Sequence, residues 1–193
     1  MQEIINLKGL LNIYTNTVCD KIFEFTLPKN KKIKLAFYRE SMCHLMGLQY
    51  IFDNDKHYLG ASGYSKIVTE EITVKSLKKH NKAGFNYIKN RLIYFDEIID
   101  IVTNGEIFLY SKYDCPDSKI NANIVLHKYV NQPDEELVIY ELNLFMIKEG
   151  NEELYVPISF FPQFPSDRSF GKYISNKSPI KKKNINIMNI DGL

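Results

Sequence analysis

Apolar side chains at Ile4, Ile5, Leu10, Leu11, Tyr14 and Val18 recur at close to helical spacing, which predicts a helix over residues 3–18. The runs IFEFTL and IKLAFY flank the polar KNKK and predict an antiparallel hairpin. Ser41 then stands where an N-cap belongs, ahead of a helix expected over residues 42–52, with Gly47 inside it. Residues 53–64, with Gly60 and Gly63, read as a loop, and residues 65–82 as short amphipathic helices. The clearest helical pattern covers residues 86–102, where Ile88, Leu92, Phe95, Ile98, Ile99 and Val102 share one face, and Gly105 follows as a stop.

Beyond Gly105 the period changes to two. EIFLYS, NIVLHKYV, LVIYELNLFMI and ELYVPISFF are four strand candidates, the last two joined by a turn at residues 148–151. The expected fold is α+β: helices packed on a four-stranded antiparallel sheet, with an N-terminal β-hairpin. Residues 1–165 read as a single domain. Residues 166–193 read as a basic C-terminal tail, marked by Pro179 and the Lys181–Lys183 run, in which Ile185 and Ile187 alternate as an optional edge strand.

Composition narrows the function classes. A net charge of +2 excludes a polycation, so any affinity for nucleic acid rests on where charge is placed. The widely spaced Cys19, Cys43 and Cys115 suit reduced thiols in a cytoplasmic protein better than a disulfide framework or a zinc site. No signal peptide and no run of about 20 apolar residues is present, and no membrane association is expected.

His44 carries the one general acid or base chemistry in the SMCHLMGLQY segment, although its apolar neighbours also suit a buried structural histidine. Lys75, Lys78, Lys79, Lys82, Lys89 and Arg91 form a basic segment, with no acidic residue between Glu71 and Asp96 and with Phe85 and Tyr87 interleaved. That pattern suits an RNA or DNA backbone as well as a solvated helix face. Lys89 and Arg91 diverge on a helix. Alternation places His127 and Tyr129 on one sheet face and Leu126 and Lys128 on the other. A phosphate-binding glycine loop, HExxH, CxxC and a nucleophile elbow are all missing. The acidic pairs at Glu70-Glu71 and residues 134–136 read as surface, so neither metal nor cofactor is expected.

HLMGLQYI, the basic helix with IKNRLIYFDEI, and VPISFF together resemble the fourth subgroup of the phage-borne barnase/EndoU/colicin/RelE-like nuclease domains, over residues 23–161. The resemblance implies a toxin-like, metal-independent endoribonuclease carried by a phage or mobile element. His44 would be acid or base, Arg91 or Lys89 would hold the phosphate, and Ser159 and Tyr129 would orient the substrate. RNA would be the substrate, cut by attack of its 2′-OH. A cognate antitoxin or a host defence protein would be the protein partner. Two other readings stay open: a non-catalytic protein that binds and inhibits a host defence protein, and a nucleic-acid binding module without chemistry.

Overall fold

The computed structural model describes residues 5–115, 117–131, 138–150 and 153–190. The first helix, α1 (Leu7–Thr17), is capped by Asn6, whose side chain accepts from the Gly9 N–H at 3.2 Å. Leu7, Leu11 and Tyr14 form its buried face, and Ile4 lies outside the described residues. The hairpin forms as β1 (Lys21–Thr26) and β2 (Lys32–Phe37), with Phe23 opposite Leu35. Lys29 and Asn30 take positive φ values in its turn, which reverses the chain in few residues.

The helical region is more broken than its periodicity suggests. Helix α2 (Ser41–Leu45) stops early, because Gly47 adopts φ +85° and the chain restarts as a 3-10 turn over Leu48–Tyr50. A single helix over residues 42–52 is thus corrected to two short pieces. The stretch expected as a loop ends in α3 (Gly60–Val68). Helix α4 (Val74–His80) opens with a reciprocal Thr73–Ser76 capping box. Helix α5 (Lys82–Ile93), capped by Asn81, and α6 (Ile98–Asn104) are separated by a 3-10 turn at Phe95–Glu97, so the expected 86–102 helix is two helices. The apolar stripe runs through that turn because Phe95 and Ile98 both enter the core.

Five further strands follow: β3 (Glu106–Leu109), β4 (Ile124–Asn131), β5 (Val138–Glu149), β6 (Leu154–Gln163) and β7 (Asn184–Asn189). They do not make a separate four-stranded antiparallel sheet. One seven-stranded mixed sheet runs in the order β3-β4-β5-β6-β2-β1-β7 and curls strongly into a half-barrel. The β3–β6 meander is antiparallel as expected, but the hairpin extends it through a short parallel pairing of Lys34 and Leu35 with Leu154 and Tyr155. The hairpin's open edge and the open edge of β6 thereby satisfy each other's backbone groups.

The stretch expected as a loose tail is partly ordered into this sheet. Ile180 bridges Ile107 on β3, and four residues later β7 begins pairing with β1 at the opposite edge. Four residues span at most about 14 Å, so the curl brings the two edges close. Between them the Lys182 ammonium donates to the carbonyls of Thr103, at 3.0 Å, and Gly105, and rests over the Phe25 ring.

The helices bury one face of the sheet, around Phe23, Phe25, Leu35, Leu142, Leu144 and Phe160. The opposite face, with Phe108, Tyr110, Val125 and Phe145, is covered by residues of the 111–122 loop and by Tyr173 and Ile174.

A candidate nucleic-acid site around Arg91

A cavity of about 680 Å³ opens where α5, the Leu48–Tyr50 turn, the end of β6 and the two covering loops meet. Helix α5 supplies Tyr87, Asn90 and Arg91; the turn supplies Tyr50; β6 supplies Ser159, Phe161 and Gln163. The loops add Lys119, Arg168, Ser169 and Tyr173, and also Asp117, paired with Lys172, and Asp167, which accepts from the Phe164 N–H. Tyr87 and Arg91 are four apart and share a helix face.

Arg91 is only 6% exposed. Its guanidinium carbon lies 5.2 Å from the ring centre of Tyr50, 5.9 Å from Tyr87 and 5.2 Å from Phe161. Among the described residues it makes no ion pair, and its buried Nη1 has no hydrogen-bond partner. A buried cation without a carboxylate is costly, and ring faces offset only part of that cost. The arrangement leaves a fixed donor fork facing a cavity, a geometry suited to a phosphate or carboxylate oxygen.

Gly47 permits this placement. A Cβ there would lie 2.8 Å from Cγ2 of Ile88 and 3.2 Å from Cδ of Arg91, so any larger residue would push α5 and the arginine stem away.

His44 flanks the same group without lining the cavity wall. Its pKa is lowered, first by desolvation and then by the Arg91 charge, while a hydrogen bond to the backbone of Ile158 acts the other way. The imidazole is therefore neutral near pH 7 and still accessible, as a base must be. Ile158 sits at a register shift in the β5–β6 ladder, just before Ser159, which pairs with Phe145. Helix α2, helix α5 and the β6 bulge thus bring His44, Arg91 and Ser159 to one place.

The family described as phage-Barnase-EndoU-ColicinE5/D-RelE like nuclease4 matches residues 6–190. The chain belongs to this family. No curated protein and no solved structure matches it. The match extends beyond the 23–161 core of the sequence resemblance and takes in β7.

Within this nuclease-family chain the other expected site residues are dispersed. Lys75, Lys78, Lys79, Lys82 and Lys89 are exposed, and none lines the cavity. Lys89 lies about 160° around α5 from Arg91, at ~100° per residue, so Arg91 is the residue that meets the cavity. Lys78 lies over the Phe85 ring at 4.9 Å, and Lys75 borders a smaller cavity of about 350 Å³ beside α1. Tyr129 packs on His127 and Phe170, outside the cavity lining. His127 is buried and bonded to Asn143. Glu70 and Glu71 are exposed and paired with Lys8 and Lys66, whereas residues 134–136 lie outside the described residues.

Sequence reasoning missed Tyr50, Phe161, Gln163 and Ser169. Tyr50 carried a signal, as the last residue of the HLMGLQY segment. The 163–173 wall has no hydrophobic period and carried none. Among the described residues no three His, Cys, Asp or Glu side chains are grouped to hold a metal ion, and no helix is long and apolar enough to cross a membrane.

Proposed function

We propose that this protein is an endoribonuclease that needs no metal ion and cleaves RNA through its own 2′-OH at the Arg91 cavity. The observation that carries the reading is the buried, carboxylate-free guanidinium of Arg91 in its cage of Tyr50, Tyr87 and Phe161, with Nη1 unpartnered and neutral His44 beside it. Family membership supports nuclease chemistry.

In this reading the scissile phosphate lies against Arg91 and the flanking bases stack on the exposed faces of Tyr50 and Tyr87. His44 takes the 2′-OH proton. The 2′-oxygen attacks phosphorus, Arg91 stabilises the charge that builds on the phosphorane oxygens, and the P–O5′ bond breaks. Water in the open cavity protonates the leaving 5′-oxygen, leaving a 2′,3′-cyclic phosphate. Ser159 supplies a hydroxyl to orient the phosphate. DNA lacks the nucleophile and is not cut. Lysines around α4 and α5 hold more distant phosphates.

Incubating the purified protein with total RNA in EDTA tests the proposal. Fragments ending in cyclic phosphate are expected. RNA that stays intact at high protein concentration would sink the reading.

A further inference from the structure

Under the cavity lies a buried polar cluster that the proposed chemistry does not use. Glu141 and Asn143 are fully buried on β5, His127 is 1% exposed on β4, and Gln163 ends β6. All four stand on the sheet face that the 164–177 segment covers, because Glu141 pairs with Gln163 and His127 with Asn143 across the strands.

The hydrogen bonds of this cluster have a direction. The Asn143 amide donates to Glu141 Oε1 at 3.1 Å and to Gln163 Oε1 at 3.2 Å. Its own oxygen must then accept from His127 Nδ1, at 3.1 Å. Gln163 Nε2 donates to the Ser169 hydroxyl oxygen, and the Ser169 hydroxyl is also hydrogen-bonded to Tyr173, another residue of the cavity lining. On the other side Glu141 Oε2 accepts from the Gly171 N–H at 3.0 Å. A chain of partners therefore runs from the buried cluster to the cavity lining at Ser169 and to the adjoining backbone at Gly171. That wall also carries Arg168.

We propose that Glu141 and Asn143, with His127 behind them, are positioning residues that clasp the 163–171 wall to the sheet and hold Ser169 in the cavity lining, beside the phosphodiester. This assignment rests on the endoribonuclease reading for its ligand. His127 fits the role. With Nδ1 donating, its Nε2 carries a lone pair that has no hydrogen-bond partner and lies 4.0 Å from Glu141 Oε2. At that distance the two atoms share no hydrogen bond, and a neutral carboxyl faces the lone pair at lower cost than a carboxylate. Burial raises the Glu141 pKa, while the hydrogen bonds from Asn143 and Gly171 act the other way.

The distinguishing variant is Glu141→Gln. A carboxamide offers one oxygen to two donors, Asn143 Nδ2 and Gly171 N, so one arm of the clasp opens while volume is kept. The expected result is a KM for RNA raised about tenfold, with kcat within about twofold, as for loss of one buried hydrogen bond. An unchanged KM, or a fall confined to kcat, would overturn the assignment. Ser169→Ala tests the other arm of the clasp, the hydrogen bond from Gln163, at the cavity surface. It should raise KM similarly, and the double variant should be no worse than either single one. Additive effects would overturn the coupling. Amide exchange at Ser169 and Gly171 is read on the protein without RNA. It should quicken about tenfold in Glu141→Gln, and unchanged exchange overturns the clasp. Should the wild-type protein leave RNA uncut, the endoribonuclease reading fails, and the exchange result alone then decides the clasp.

Discussion

Gly47 and Arg91 fit each other: a Cβ on the glycine would stand 3.2 Å from the arginine Cδ and 2.8 Å from Ile88 Cγ2. The glycine holds φ +85°, a left-handed turn that an L side chain adopts only with strain. Both effects point the same way. Gly47→Ala should lower stability by about 2 kcal/mol, from backbone strain and the crowded Ile88 methyl. It should also lower RNA cleavage in the fraction that remains folded, because the arginine stem must shift. Denaturant midpoints paired with cleavage rates check this. A variant as stable and active as wild type would show that the turn tolerates a side chain.

Arg91 presents the opposite balance. Its buried charge has no carboxylate partner among the described residues, so the fold gains little from it. Arg91→Met keeps the stem and the ring contacts. The expected outcome is a loss of cleavage of about 100-fold or more, with stability unchanged or higher by about 1 kcal/mol. Arg91→Lys should also lose most activity, since an ammonium cannot present the planar fork to a phosphate. A strongly destabilised Arg91→Met with residual activity near wild type would mean that the arginine is a structural residue.

The same pair of residues sets a pH dependence. Desolvation first, and the Arg91 charge second, lower the pKa of His44. The folded protein therefore binds fewer protons than the unfolded chain between that lowered value and the ordinary value of about 6.5. The His44 contribution to stability is lost as pH falls through that window. Cleavage should hold its plateau down through about pH 6.5 and fall only below it, because the base stays neutral. In Arg91→Met the His44 titration, followed by imidazole proton shifts, should move upward but stop short of the free value, since desolvation remains. A His44 titration indifferent to that change would separate the two side chains.

The sequence made some of this legible and hid the rest for physical reasons. The β-rich runs IFEFTL, IKLAFY and NIVLHKYV are enough to find β1, β2 and β4, although β4 begins buried on both faces and alternates only from Lys128. It could not reveal that β2 pairs in parallel with β6, since a side-chain pattern records which face is buried and not which edge is joined. The helical stripe through residues 86–102 hid the break at Phe95–Glu97, because the tighter turn keeps its apolar side chains in the core. Of the pattern formed in the sequence by His44, Lys89 or Arg91, and Ser159, Arg91 and Ser159 line one cavity and His44 lies beside Arg91, while Lys89 faces away. The burial of Arg91 was not legible, because arginine is mostly a surface residue. Nor was the Gln163–Tyr173 wall, whose residues follow no period.

Lys82 and Lys89 are seven residues apart, on the exposed face of α5 roughly opposite Arg91. Under the proposed endoribonuclease reading they add to RNA affinity through distant phosphates but not to chemistry. Replacing both with Gln should raise KM and reduce the slope of log affinity against log salt by about 1.4, the value for two single-strand phosphate contacts. The rate at saturating RNA should not change. A salt slope equal to wild type would remove these lysines from the RNA path.

Lys182 ties the sheet's two edges. Its ammonium donates to the Thr103 and Gly105 carbonyls at the C-terminal end of α6, where a cation is favoured, and its position over Phe25 links them to β1. Lys182→Met keeps the apolar stem over the ring but removes both hydrogen bonds and leaves two carbonyls with weaker partners. The expected loss is about 2 kcal/mol, the scale for charge-assisted bonds in a half-buried setting. The loss should be local first: amides in the β1–β7 ladder, such as those of Ile22 and Met188, should exchange faster, while those between β4 and β5 keep their protection. The site should feel little of this, because β1 and β7 supply no residue to the Arg91 cavity. Uniformly faster exchange across all strands would instead mean that closure by the 180–190 segment holds the whole half-barrel together, and that its stability is one cooperative unit.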